Sequence, residues 1–243
     1  MQWLLDLNSC IYRTIVFWTW QLLPAFPSDS MYPFPDSSTI AITGTTSSGK
    51  TTWLYRLLRH KDEMFAVPPE RILYCYGIFQ SLFDEMKKRV PAITFCPGLP
   101  TESELDSLTS NGKHNLVILD DLMNRVTKNE DMELLFTRGA HHRRLTIIYL
   151  NQNMYCQGKS SRTINLNTHH MVLFRNPRDM SQISVLVRQV FPGKGNALVE
   201  AYRDCMKEPF GYLVLDLSPF TEDKYRMRTR IYPGETTVIY EII

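Results

Sequence analysis

Gly44-Thr45-Thr46-Ser47-Ser48-Gly49-Lys50-Thr51 follows the pattern G-x-x-x-x-G-K-[ST], and the chemistry of that pattern is the binding of a polyphosphate. Glycines let such a loop wrap with its N–H groups turned inward, and the helix beyond adds partial positive charge at its N-terminus. Lys50 then reaches the β- and γ-phosphates, and the Thr51 hydroxyl is placed for Mg²⁺. Thr52 and the side chains of Thr46, Ser47 and Ser48 are secondary contacts. The bland alternative is a serine-rich turn that only mimics the pattern.

A polyphosphate site also needs a carboxylate for the metal. Asn115 to Leu119 is an apolar run ending in Asp120 and Asp121, 76 residues after Gly44. Asp120, at the strand's carboxyl end, is expected to bind Mg²⁺ through water, leaving Asp121 to polarise the attacking water. The cation and Lys50 would offset the repulsion between the two acids. Taken alone, an Asp-Asp pair after a strand is as well read as a helix cap. The next apolar run, Leu145 to Leu150, ends in Asn151-Gln152-Asn153, and Gln152 is the candidate sensor of the γ-phosphate. An end-of-strand turn is the competing reading. An amide there, after an acid pair on the preceding core strand, points to the additional-strand class of P-loop ATPases.

These residues require a particular scaffold. Thr39 to Thr43 reads as a β-branched strand and Lys50 to His60 as a helix, which puts the glycine-rich loop between them. Arg71 to Tyr76 is a second strand, and Gln80 to Arg89 is helical with Leu82, Phe83 and Met86 on one face. Ala92 to Cys96 is a short strand, and Thr101 to Thr109 opens with a capping box of Thr101 and Glu104. The runs Asn115 to Leu119 and Leu145 to Leu150 are continuous, as in parallel strands buried on both faces; Met171 to Phe174 is a fifth core candidate. The expected fold is α/β, a mainly parallel central sheet with helices on both faces.

The chain has 243 residues, 44% hydrophobic and 21% charged, which excludes collagen, coiled coil and disorder and suits one large domain with an extension. Five cysteines without a CxxC pair indicate neither a disulfide scaffold nor a zinc ribbon, and fit a reducing compartment. Net charge is only +2, yet no acid occurs from Leu134 to Arg178, where Arg138, Arg143, Arg144, Lys159, Arg162, Arg175 and Arg178 cluster. That field suits a polyanion, or is a chance grouping of solvated charges. Residues 1–30 are read as a hydrophobic extension and Pro/Ser-rich linker, and 31–243 as the ATPase domain. The apolar run Ile15 to Trp20 is too short to span a bilayer, and no small-residue cleavage site follows it.

The tract YPF before the first strand, then GTTSSGKTT, ILYCYG, LVILDDL, TRGAHHRRLTIIYLNQN and FRNPRD, resembles the genome-packaging ATPases of double-stranded DNA viruses and Polinton or Maverick-type elements, within the FtsK/HerA superfamily. The resemblance runs from about Met31 to the C-terminus; the last two motifs are its specific part. It implies an ATP- and Mg²⁺-dependent motor that assembles as a ring and moves double-stranded DNA, without base readout, into a preformed capsid. Capsid or portal proteins would be partners, and the work would be intracellular, in host nucleus or cytoplasm or at the assembling virion. It also implies an arginine finger acting in trans. Arg138, 14 residues before Gln152, occupies the corresponding position, with Arg143 and Arg144 as weaker substitutes. Arg138 is equally read as a cap on a helix C-terminus. Where the superfamily often has Glu as second acid, this chain has Asp121, one methylene shorter.

Two further groups are less specific. His141-His142 and His169-His170 lack the additional ligands of a zinc site, so packing or phosphate contact is the expected role. Arg226, Arg228 and Arg230 alternate with Met227, Thr229 and Ile231; on a strand they would share one face and line a DNA path, receive a partner's acids, or guard an edge. Two other functions stay open: a P-loop kinase of a nucleotide or small molecule, and a non-hydrolysing nucleotide switch that recruits partners through its aromatic N-terminus.

Overall fold

The computed structural model describes residues 34–129, 132, 134–139, 143–155, 159–177, 180–192 and 195–241, for Arg138 and Asn196 the backbone alone. The N-terminal extension expected for residues 1–30 lies outside the described residues, as do His141-His142, Arg178, Cys10 and Cys156. Among the described residues, no helix is long and apolar enough to cross a membrane. Cys75, Cys96 and Cys205 are buried free thiols.

Among the described residues, nine strands form one sheet in the order β3-β2-β4-β5-β1-β6-β7-β8-β9. Here β1 is Thr39–Thr43, β2 Ile72–Tyr76, β3 Ile93–Pro97, β4 Asn115–Asp120, β5 Leu145–Asn151 and β6 His170–Phe174, and all six run parallel. Three antiparallel strands, β7 (Tyr212–Asp216), β8 (Met227–Thr229) and β9 (Val238–Ile239), extend the β6 edge. The strand carrying the carboxylates and the strand leading into the glycine-rich loop are separated by β5, which is the additional-strand P-loop arrangement.

Helices cover both faces, so the central strands are apolar throughout rather than alternating. Helix α1 (Lys50–Arg59) buries Trp53, Leu54, Leu57 and Leu58 against Ile40, Ile42, Leu116 and Ile118 on one face. The four-residue α2 (Lys61–Met64) follows directly, and Phe83 and Met86 of α3 (Leu82–Arg89) join the same cluster. On the other face Ala41, Val117 and Leu119 meet α4 (Glu102–Thr109), α5 (Met123–Val126), α7 (Met180–Val190) and α8 (Gly195–Cys205); the short α6 (Ser161–Leu166) adds Ile164. The capping box forms: Thr101 Oγ1 accepts the Glu104 N–H at 3.2 Å, and Glu104 Oε2 accepts the Thr101 N–H at 2.7 Å.

Candidate nucleotide site

Strand register assembles the site. Tyr76 pairs with Asp120, Asp120 with Leu150, and Asn151 with Thr43, so the carboxyl ends of β2, β4, β5 and β1 finish on one line. In open α/β sheets ligands bind outside those carboxyl ends. The turn from β1 into α1 begins at Gly44, whose N–H donates to the Asn151 carbonyl at 3.2 Å. Any side chain there would collide with β6: an added Cβ on Gly44 would lie 2.5 Å from Cβ of Phe174.

A cavity of about 510 Å³ opens at this edge, lined by Thr46, Ser47, Ser48, Gly49, Lys50, Thr51 and Thr52 on the loop side. Asp120, Asp121, Gln152, Gln80, Asn151, Ile78, Leu82, Leu150 and Phe210 complete the wall. The two remaining loop candidates do not line it: Gly44 sits behind the loop, and the Thr45 hydroxyl donates to the Arg175 carbonyl at 3.2 Å.

Lys50 folds across the loop, its Nζ donating to the carbonyls of Gly44 at 2.6 Å and Thr45 at 2.8 Å. Burial lowers its pKa, and the negative charges of Asp120 and Asp121 oppose that shift. Asp120 is only 7% exposed. Its Oδ2 accepts the Tyr74 hydroxyl at 2.8 Å and the Gln80 side-chain amide at 3.4 Å. Burial raises the Asp120 pKa and Asp121 pushes the same way, while the Tyr74 hydrogen bond and Lys50 pull it down. Asp121 follows with a φ of 56°, a left-handed conformation uncommon outside glycine. Gln152 is exposed at the tip of β5, and its N–H donates to Oδ1 of Asn151 at 3.0 Å.

The residues present fit a magnesium-bound polyphosphate. The Ser48 Oγ is buried in the loop without a hydrogen-bond partner. Thr51 and Asp120 are hard oxygen donors at one cavity, and Mg²⁺ is usually held by one or two carboxylates plus substrate phosphates. The described residues contain no cluster of three or more His, Cys, Asp or Glu suited to a metal.

The arginine candidates separate. Arg138 lies in the π-helical turn Leu135–Gly139, and its side chain is outside the described residues. Arg143 and Arg144 precede β5 at the sheet end opposite the cavity, where Arg143 pairs with Asp106 at 3.3 Å and Glu102 at 3.8 Å, and Arg144 with Asp36 at 3.8 Å. Those pairs offset part of the basic cluster.

The expected row of three guanidinium groups needs correction. Strand β8 is only three residues long, with Arg226 and Arg230 beyond its ends. Arg228 is turned inward onto Oδ2 of Asp216 at 2.9 Å, with its side chain 13% exposed. Arg226 donates to the carbonyls of Asp216 at 3.1 Å and Ser218 at 2.8 Å, leaving Arg230 the one half-exposed member. A buried Asp216 accounts for this, because an unpaired charge there would be costly. His170 is also buried beside Asp216, and burial pushes its pKa down to about 4, so it is neutral; the Thr39 N–H donates to Nδ1 of His169 at 3.0 Å.

The sequence assigned no site role to three residues: Tyr74, Gln80 and Phe210. Each acts through sheet register or a distant turn rather than through a local motif.

No family model and no curated protein matches the chain. Among solved structures, it is similar to the genome packaging NTPase B204 from Sulfolobus turreted icosahedral virus 2. With ATP-gammaS bound, that structure gives a TM-score of 0.48 at 14% identity, covering 76% of this chain and 95% of that one. Its sulfate complex gives 0.48 at 10% identity, covering 76% and 93%. The flagellar accessory protein FlaH from Methanocaldococcus jannaschii gives 0.39 at 17% identity, covering 57% and 71%. Likeness of this degree carries no functional argument; the cavity must do so.

Proposed function

We infer that the protein is a magnesium-dependent ATPase, and that it uses hydrolysis to move double-stranded DNA in genome packaging, as a ring of copies working with capsid or portal proteins. One observation carries the hydrolase part: Lys50, Thr51, Asp120, Asp121 and Gln152, drawn from three separate strands' ends, meet at a single cavity. Residues 31–243 form the ATPase domain in this reading.

Lys50 releases its loop carbonyls to donate to the β- and γ-phosphates, and the loop N–H groups hold the chain behind them. Thr51 and Asp120 would hold Mg²⁺, whose positive charge would offset that of the polyphosphate. Asp121 orients and deprotonates the attacking water, and Gln152 contacts the γ-phosphate. Phosphoryl transfer spreads charge over the equatorial oxygens, and a guanidinium there is worth about 10³ to 10⁵ in rate. Among the described residues Lys50 is the one cation lining the cavity, which suits an Arg138 supplied by a neighbouring copy.

The motor reading rests on the motif resemblance and the acid-free segment. DNA contact through phosphates alone weakens steeply with salt. The test is ATP turnover with and without duplex DNA across a salt series: stimulation that fades as salt rises supports the motor, and turnover indifferent to DNA at every salt contradicts it.

A further inference from the structure

Phe210 sits where an aromatic residue is expensive to place. Glu208-Pro209-Phe210-Gly211 closes a turn in which the Gly211 N–H donates to the Glu208 carbonyl at 3.1 Å. Proline at the second position and positive φ at the third are the marks of a type II turn, whose third position favours glycine. Here that position is Phe210, with φ at 57°. The residue after it is held close to the chain, since an added Cβ on Gly211 would lie 1.9 Å from the Cys205 carbonyl oxygen. Such strain persists where surrounding structure over-determines it, and it clusters at ligand sites.

The ring gains little burial in return, since Phe210 is 71% exposed. It instead faces the loop: Cδ1 lies 3.2 Å from where a Cβ on Gly49 would be, and the residue lines the cavity. Sheet order fixes which end of a ligand it meets. The carboxylates and Gln152 lie over β4 and β5, on one side of the loop strand β1, and Phe210 enters from β7, on the other side past β6. The terminal phosphate belongs with Lys50 and with the metal that Asp120 would hold, so the nucleoside must leave the loop toward Phe210. Ile78, the other exposed apolar lining residue, is at the carboxylate side.

We propose that Phe210 is the stacking platform for the base of the bound nucleotide. The inference rests on the nucleotide-site reading above and adds its base subsite. Stacking uses the π-face that every base has, so the subsite accepts either purine.

The experiment compares binding of MgATP, MgGTP and magnesium tripolyphosphate, which has no base, to wild type, Phe210→Asn and Phe210→Trp. Asparagine tolerates positive φ, so it removes the ring without disturbing the turn. Phe210→Asn is expected to weaken ATP and GTP alike by about tenfold while leaving tripolyphosphate within about twofold. Its melting temperature without ligand should not fall; Phe210→Trp should restore ATP affinity, with indole fluorescence that responds to ATP but not to tripolyphosphate. Unchanged ATP affinity in Phe210→Asn, or equal loss for ATP and tripolyphosphate, overturns the platform while the phosphate site stands. A wild-type protein that binds none of the three ligands overturns the site reading itself, and this inference with it.

Discussion

The hydroxyl of Tyr74 donates a 2.8 Å hydrogen bond to Oδ2 of Asp120, joining the second strand of the chain to the carboxylate that ends the fourth. Burial and the neighbouring carboxylate drive the Tyr74 pKa far upward, so the phenol stays a donor at any working pH. The bond fixes one carboxylate oxygen, Oδ2; in the proposed site the other, Oδ1, would meet the metal. Tyr74→Phe removes the bond without leaving a buried donor unpaired. Orienting partners of this kind are worth about tenfold or more in metal affinity. The Mg²⁺ concentration for half-maximal turnover should therefore rise about tenfold in Tyr74→Phe. The same variant should move the acid limb of the pH–rate profile upward, because a bond that lowers the Asp120 pKa is gone.

Asp120 also predicts a stability effect of definite sign. Its pKa is raised on folding, chiefly by burial, so its ionisation opposes the folded state and that cost grows as pH rises through the folded pKa. Asp120→Asn keeps an oxygen that can accept from Tyr74 and has no charge to bury. It should melt higher than wild type at neutral pH without nucleotide, by about 2–4 °C for each 1 kcal/mol recovered in a chain of this length. The difference should shrink below the ordinary carboxylate range, where both forms are neutral. Thermal melts of the two proteins across pH measure it, and hydrolysis should be lost in the variant throughout.

The role assigned to Asp121 separates binding from chemistry. Asp121→Asn should lower kcat by about 10² to 10⁴ with KM for ATP little changed, the signature of a lost general base. Asp121→Glu adds one methylene and should recover a substantial part of the loss, which a purely structural role at positive φ would not allow. Steady-state phosphate release by the three proteins decides between them.

A finger acting between copies predicts complementation. Lys50→Ala and Arg138→Ala should each be inactive alone, yet mixed assemblies contain interfaces in which an intact Lys50 site meets an intact Arg138. Turnover should reappear on mixing. Co-assembly without recovery removes Arg138 from the role.

The loop, the carboxylate strand and the central parallel strands were legible because each is a local pattern: a glycine-spaced phosphate motif, or an apolar run buried on both faces. Gln152 could be placed for the same reason, since it ends such a run. The antiparallel edge was not legible, because Tyr212–Asp216 reads as one more buried run and its direction depends on how the chain returns from α8. The alternation Arg226, Arg228, Arg230 suggested an exposed row, but the buried Asp216 that draws two of them inward becomes their neighbour only through the pairing of β7 with β8. Tyr74, Gln80 and Phe210 escaped for the same cause: their partners at the site are 46, 40 and, for Phe210 against Gly49, many more residues away in the chain.

Hydrolysis of ATP at this loop-and-carboxylate cavity is read from the release of inorganic phosphate from MgATP by the assembled wild-type protein and by Lys50→Ala. Wild type should turn over many times, Lys50→Ala not above background, and chelation of Mg²⁺ should abolish wild-type activity. Tight ATP binding without turnover, transfer of the phosphoryl group to an acceptor with little free phosphate, or activity that survives Lys50→Ala would contradict it.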